Sequence, residues 1–329
     1  MAPLLKSGRS FCSTGKYRKR NVCKDAYMLP QPPGIYKTRM WFFLLFFPWV
    51  TIMRTYRQIS IEALKQKGMG VMEQMTYDRM QIPLLSLADM CRELAELTGN
   101  QIISHTKNYI TYANPSHFYG KNFILDADED EMEAIIKEIK GHLADGLPGG
   151  ISFTEEKLSC GIDAAERILK EHGFVKHISQ IGMVFDLDHG FPEPDAAKAA
   201  NIRFVSQDLL PLWCVTNSVS FPKPREDDTF AELLGSKNLL TYGYMHGEDI
   251  TSTGMLLIDP DLSGIHEIAT LPEYRRQGQI RTILCLMLQE LQTRGIRSVS
   301  LQASPTGRLV YETLGFEAVS TIPTWVPAD

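Results

Sequence analysis

The sequence has few of the features that assign a function class directly. None of its six cysteines forms a C-x-x-C pair and its histidines show no ligand spacing, so we expect no metal site. The common nucleotide-phosphate loops G-x-x-x-x-G-K-[ST] and G-x-G-x-x-G are both missing. The net charge of −5 gives no reason to expect nucleic acid as a partner. Scattered cysteines in a chain of this length favour a reduced, cytoplasmic protein.

No apolar run is long enough to span a membrane as a helix. The longest, residues 40–53, reads MWFFLLFFPWVTIM and has 14 residues, whereas a spanning helix needs about 20. A signal peptide fits the length better, but the preceding residues 1–39, with nine basic residues and one acid, form an unusually long basic segment, and no small-x-small cleavage site follows. We expect residues 1–55 to lie outside the fold. Membrane contact through residues 40–53 remains the alternative.

The remaining length predicts two units of mixed α/β composition. Residues 188–201, DHGFPEPDAAKAAN, are rich in Pro, Gly and Asp and read as a linker. We therefore predict an N-terminal α/β domain over residues 56–190 and a second domain over residues 201–329. Helical and strand-like segments follow one another in mixed order in both, which indicates an α/β fold with a mixed α+β sheet.

A local pattern occurs twice, once near the end of each predicted unit. Residues 167–185 and 309–326 each read as a helix, a Gly-Phe turn and a strand. The spacing of the two patterns is close to one unit length, so a duplication is suggested.

The segment LPEYRRQGQIRTIL, residues 271–284, carries the strongest functional signal. From its second half onward, apolar residues at helical spacing define one buried stripe, which consists of Ile280, Ile283, Leu284, Met287 and Leu291. Gln279 lies off that stripe. We predict a helix that begins near Gly278 and ends at Gly295.

The start of this helix is basic. A helix N-terminus exposes unpaired N–H groups and a positive dipole end, and Gly278 lets a ligand approach the backbone. Arg275, Arg276 and Arg281 add positive charge. These groups fit a phosphate or pyrophosphate, although a basic surface turn would have the same composition.

Two motifs in order resemble the GCN5-related N-acetyltransferase (GNAT) superfamily over residues 201–329. The family carries [Q/R]-x-x-G-x-[G/A] between a strand and a helix; Arg275 and Gly278 match its first half, and Ile280 replaces the small residue. The second motif, Y-x-x-L-G-F, begins at Tyr311. The N-terminal half has Leu169 where the pattern would place this tyrosine, so we expect it to be a degenerate copy without cofactor binding.

The resemblance implies transfer of an acetyl group from acetyl-CoA, as co-substrate, directly to an amine. Tyr311 would protonate the leaving thiolate. The backbone of β-strand residues would pair with the pantetheine arm, the following loop would hold the pyrophosphate, and Ser304 would contact the cofactor arm. The implied cofactor-binding residues are Ile268, Ala269, Thr270, Arg275, Arg276, Gln277, Gly278, Gln279, Ile280, Arg281 and Ser304.

The general base and the acceptor stay open at this point. Glu267 is the preferred base and His266 the alternative, and strand alternation predicts that they point to opposite faces. Residues 114–125, NPSHFYGKNFIL, could line an acceptor cleft or form an edge strand with its turn. The acceptor would be a small-molecule or protein amine. Because Ile280 departs from the motif, a non-catalytic acyl-CoA sensor is the competing interpretation.

Overall fold

The structure, a computed structural model, describes residues 77–97, 102–112, 121–147, 149–221 and 230–328. These all belong to the second of two compact units, which covers Met75–Asp329. The predictions for residues 1–55, including membrane contact through residues 40–53, lie outside the described residues.

The described chain forms one mixed sheet with helices on both faces. Its eleven strands are β1 Ile102–His105, β2 Tyr109–Tyr112, β3 Lys121–Ile124, β4 Ile151–Phe153, β5 Phe174–Asp186, β6 Ile202–Phe204, β7 Leu239–His246, β8 Asp249–Leu257, β9 Gly264–Thr270, β10 Ser298–Ala303 and β11 Glu317–Pro327. The helices are α1 Ile82–Leu97, α2 Glu129–Ala144, α3 Gly161–Glu171, α4 Ala196–Ala199, α5 Leu210–Ser218, α6 Gln279–Thr293 and α7 Arg308–Glu312. The predicted mixed α/β class is confirmed.

The two halves of the chain exchange strands at the centre of the sheet. The strand order is β1-β2-β3-β4-β11-β5-β10-β9-β8-β7-β6. The last strand of the N-terminal half, β5, therefore lies between β11 and β10, and β11 from the C-terminal half lies between β4 and β5. All three of these contacts are antiparallel. Each half thus completes the sheet of the other.

The exchange carries large side chains into the opposite half. Trp325 on β11 is fully buried in a core formed by α2, α3, β4 and the start of β5, where it packs with Leu169 and Phe174. A second core joins α6 and α7 to β5, β8 and β10. A third lies on the face covered by α1 and α5. Because large apolar side chains dominate burial energetics, the halves depend on each other for stability.

Several local predictions can be compared with this architecture. The helix–Gly–Phe–strand pattern is observed twice, and Gly173 and Gly315 both have positive φ, 83° and 100°; an origin by duplication stays a prediction, as does the division into domains. Residues 188–201, expected to be a linker, contain α4. The edge-strand alternative for residues 114–125 is wrong for β3, which pairs with β2 and β4. Residues 113–120 lie outside the described chain.

Candidate active site

The sheet opens between β9 and β10. These parallel strands pair only at Gly264 with Ser300 and at Ile265 with Leu301. Beyond these pairs β9 continues to Thr270 without β10 beside it. The backbone of Ile268–Thr270, predicted to pair with a pantetheine arm, therefore has one edge outside the β9–β10 ladder.

A bulge interrupts β9 at Glu267. This residue has a φ of 54°, and the pairing of β9 with β8 shifts between Thr253 and Met255. A left-handed conformation at a non-glycine residue costs about 1–3 kcal/mol and persists only where neighbours fix it. Here the Glu267 carbonyl accepts hydrogen bonds from Asn217 Nδ2 and Thr253 Oγ1, both at 2.9 Å.

The bulge removes the basis of the prediction that His266 and Glu267 face opposite ways. Strict alternation fails where an extra residue enters a strand. The Glu267 carboxylate is buried within electrostatic reach of Cys91 on α1. The His266 imidazole lies beside Ser86, also on α1. Both candidate bases therefore approach the same helix.

Burial keeps His266 uncharged. Removal from water is the main cause that lowers its pKa, to about 3; Lys121 lowers it further, and the Gln302 side chain acts in the opposite direction. At neutral pH the imidazole is therefore in its neutral form, with a lone pair on one ring nitrogen.

The helix predicted to bind an anion begins and ends where the sequence places it. Gly278 precedes α6 with a φ of 79°, and no side chain caps the helix start. The first helical hydrogen bond runs from Thr282 N–H to Gly278 O at 3.1 Å. The amides of Gln279, Ile280 and Arg281 precede this bond, so they lack intrahelical acceptors. The C-terminal stop at Gly295, with a φ of 73°, is confirmed.

Four cationic side chains belong to this helix start or lie beside it. Arg275, Arg276 and Arg281 are exposed. Arg275 Nε donates to Thr270 O at 3.2 Å, which ties the loop to the end of β9. The fourth, Lys198 on α4, is a residue that sequence reasoning missed: a side chain at Gly278 would begin 3.1 Å from its Nζ. Lys198 also pairs with Asp195 at 3.8 Å.

The expectation that Gln279 lies off the buried face is wrong. Its side chain is buried, and its Oε1 accepts hydrogen bonds from Thr251 Oγ1 at 3.0 Å and Ser252 Oγ at 2.6 Å. The side chain thus fastens the helix start to β8. Of the groups of Gln279, the backbone N–H is therefore the one left for a ligand. Ile280 is partly buried against the second core.

Tyr311 and Ser304 lie on the segment that follows β10. Tyr311 is only 8% exposed, and its ring contacts Phe316 edge-on with centroids 5.9 Å apart. Burial raises the pKa of its phenol above the ordinary value, so the hydroxyl keeps its proton at neutral pH. Ser304 Oγ accepts from Gly307 N–H at 3.1 Å and so shapes the turn into α7. Ile268 and Ile280 pack against the core that contains Tyr311.

The corresponding helix start in the N-terminal half is built differently. Asp128 accepts from Glu131 N–H at 2.9 Å, and the Glu131 carboxylate accepts from Asp128 N–H at 3.2 Å. Glu129 and Asp130 add further acids in the first turn of α2. Leu169, at the place of Tyr311, is fully buried. The acidic residues at the start of α2 therefore repel anions.

The described residues contain neither a metal-binding cluster nor a membrane-spanning helix. No group of three or more His, Cys, Asp or Glu side chains there could hold a metal ion. In the same residues, no helix combines the length and apolarity needed to cross a bilayer.

Comparison with known proteins identifies the fold. Residues 219–323 match the sequence model of the acetyltransferase (GNAT) domain. A GCN5-related N-acetyltransferase from Kribbella flavida superposes with a TM-score of 0.56 at 12% identity, covering 74% of this chain and 96% of that one.

Two further structures share the fold. A conserved protein of unknown function from Staphylococcus epidermidis superposes with a TM-score of 0.53 at 13% identity over 70% of this chain and 94% of that one. For a Drosophila protein the TM-score is 0.50 at 11% identity over 76% and 91%. None of the curated proteins matches the sequence. Residues 219–323 thus match the GNAT acetyltransferase domain, and the chain shares its fold with these solved structures.

Proposed function

We propose that this protein is a cytoplasmic N-acetyltransferase that moves an acetyl group from acetyl-CoA directly to an amine. The observation that carries the proposal is the uncapped, cationic start of α6 beside the opening between β9 and β10, within a GNAT domain. The acceptor is a small-molecule or protein amine, and nucleic acid is not expected.

The cofactor would lie across these elements in sequence. The pantetheine arm would pair with the free edge of Ile268–Thr270, as an added strand pairs with a sheet. The pyrophosphate would accept hydrogen bonds from amides at the α6 start. Arg275, Arg276, Arg281 and Lys198 would supply positive charge, and Ser304 would contact the arm. The Ile280 side chain packs against the second core, so we expect its amide to remain available to the pyrophosphate.

The chemistry is a direct displacement. The amine nitrogen attacks the thioester carbonyl carbon, a C–N bond forms and the C–S bond breaks. Tyr311 donates its proton to the departing thiolate. The phenol is protonated at neutral pH, as a general acid must be before the step, and burial, which raises its pKa, makes it a weaker acid than an exposed tyrosine. The amine proton leaves to a base, for which Glu267 and His266 are the candidates.

Acetyl-CoA binding by the full chain provides the primary test. A ligand that binds only the native state raises stability by about 2.7 kcal/mol at a hundred times its dissociation constant. We expect a clear rise in the melting temperature with acetyl-CoA at millimolar concentration. The absence of any shift, together with no heat of binding in calorimetry, would contradict the proposal.

A non-catalytic acyl-CoA sensor is the second candidate. It is favoured by Ile280, which occupies the place of a small residue at the α6 start. Thiol release from acetyl-CoA with a panel of amines separates the two. Binding without transfer to any amine would support the sensor, and acetylated product would support the enzyme.

A further inference from the structure

Two buried polar atoms lie together at the point where β9 and β10 separate. Ser86 Oγ on α1 and His266 Nε2 on β9 have no hydrogen-bond partner. A side chain at Gly264 would begin 2.0 Å from Ser86 Oγ and 2.4 Å from His266 Nε2. The two atoms are therefore close to each other, and only the missing side chain of Gly264 makes room for them.

Such a pair needs an explanation. Buried polar groups without partners are rare, because each forfeits its hydrogen bonds with water. Ser86 is fully buried and His266 is 5% exposed. His266 is also the first residue of β9 beyond its pairing with β10. The unsatisfied atoms thus lie at the inner end of the opening that would receive the thioester.

The surroundings orient the imidazole. Gln302 on β10 interacts with His266 through its side chain and donates from Nε2 to Pro83 O on α1. His266 Nε2 has no partner, so the Gln302 side chain acts on Nδ1, the other ring nitrogen. With its amide nitrogen on Pro83 O, Gln302 has its carbonyl oxygen left for Nδ1–H, and that tautomer carries the lone pair on Nε2. The ring thus presents a proton acceptor toward Ser86.

We propose that Ser86 and His266 form the proton-accepting end of the acetyl-transfer site, so that a helix of the N-terminal half completes the catalytic site of the C-terminal half. This inference rests on the proposed function and assigns its base. His266, which keeps a small exposed fraction at the opening, is the proton acceptor, and the fully buried Ser86 hydroxyl lies behind it to stabilise the protonated ring.

The step balances as follows in atoms and charge. As the C–N bond forms, an amine N–H bond breaks and its proton passes to His266 Nε2, and the new Nε2–H then has Ser86 Oγ nearby as an acceptor. The C–S bond breaks and the thiolate takes the Tyr311 proton. Solvent then carries a proton from the imidazolium back to Tyr311. The net reaction is amine plus acetyl-CoA to amide plus coenzyme A.

This arrangement favours an acceptor that arrives uncharged. A buried neutral imidazole is a weak base, so it does not deprotonate a free ammonium group. It takes the proton only once attack has placed positive charge on the nitrogen, which makes that nitrogen far more acidic. The substrate class is therefore an amine of low basicity.

The test compares full-length variants in acetyl-CoA turnover, with hydroxylamine, aniline and methylamine as nucleophiles. Hydrolysis of acetyl-CoA is measured in a parallel reaction without added amine. We expect Ser86→Ala to lower kcat about tenfold. His266→Gln should lower kcat about a hundredfold, a loss within the range for removal of a general base. The dissociation constant of acetyl-CoA should stay within about twofold of the wild type, since neither residue is placed at the phosphates.

Ser320→Ala is the matched control. Ser320 Oγ is also buried without a partner and lies under α1, where a side chain at Gly182 would begin 2.3 Å from it, and the other atoms nearest that side chain belong to Pro83 rather than to an imidazole. It should leave kcat unchanged. Wild-type kcat in Ser86→Ala, or an equal loss in Ser320→Ala, would overturn the inference. If His266→Gln fails to fold, Ser86→Ala decides. A wild type that binds no acetyl-CoA would instead refute the proposed function.

Discussion

The two halves of this protein contain a helix in the same topological place, after a strand whose next neighbour is parallel, yet the two helix starts have opposite electrostatic character. In α2 the Asp128 carboxylate accepts from the Glu131 amide, and further acids follow. In α6 Gly278 leaves the amides uncapped, and four cationic side chains belong to this start or lie beside it. The comparison teaches that the fold supplies a helix N-terminus and the capping residue decides whether it serves stability or a ligand.

The two halves are parts of one sheet. The largest effect is therefore expected from a substitution that removes packing between them. Trp325→Ala removes a fully buried side chain of β11 from the core of the other half. We expect the free energy of unfolding to fall by about 3–5 kcal/mol. Chemical denaturation measures it, with the half-buried neighbour Val326→Ala as control. A loss below about 1 kcal/mol would show that the exchanged strand contributes little.

At the second motif the N-terminal half has Leu169 where the C-terminal half has Tyr311, and this difference sharpens the comparison. Tyr311→Phe removes only the proposed proton donor, so we expect kcat to fall about a hundredfold. Acetyl-CoA affinity should be nearly unchanged. The control is Tyr242→Phe, which alters another buried tyrosine of the same core whose pKa is also raised by burial. Equal losses in both variants would assign Tyr311 to packing rather than chemistry.

Placing an acidic cap on α6 tests the electrostatic difference itself. In Gly278→Asp the new carboxylate imitates Asp128, and its charge opposes a phosphate at a distance where helix-end electrostatics reach about 2 kcal/mol. We expect acetyl-CoA to bind about thirtyfold more weakly by calorimetry. Gly278→Asn carries a similar shape and backbone strain without the charge. Equal weakening by both substitutions would mean that conformation, rather than charge, matters at this position.

The smallest expected effect concerns the lysine that reaches the α6 start from α4. Lys198→Ala removes a half-exposed charge, for which about 1 kcal/mol, or fivefold in affinity, is expected. The control is Lys237→Ala, an exposed lysine before β7, at the end of β8 opposite to the α6 start. The difference in affinity between the wild type and Lys198→Ala should shrink as the salt concentration rises, which calorimetry at low and high salt measures. Unchanged affinity in Lys198→Ala at low salt would remove this residue from the site.

The sequence predicts the local parts of this site well. Gly278 and Gly295 mark the ends of α6 because positive φ and apolar periodicity are local properties. The alternation argument fails at Glu267, since a bulge depends on the partner strand and on Asn217. Gln279 is buried because Thr251 and Ser252 lie opposite it, which no period within the helix can reveal.

The long-range features could not be predicted from the pattern. A helix–Gly–Phe–strand repeat indicates two similar endings, but it does not show that the two strands change places in the sheet. Lys198 belongs to a segment that reads as a linker, and only its packing near α6 makes it part of the site. The pairing of Ser86 with His266 likewise joins residues 180 positions apart, through a helix that crosses from one half to the other.

The central claim is that the α6 start binds the diphosphate of acetyl-CoA, and calorimetric titration of the full chain with coenzyme A and with pantetheine, which lacks the diphosphate, tests it most directly. The account predicts saturable binding of coenzyme A and affinity for pantetheine that is weaker by at least about a hundredfold, since several charge-assisted hydrogen bonds are lost. Equal affinity for the two ligands would contradict it.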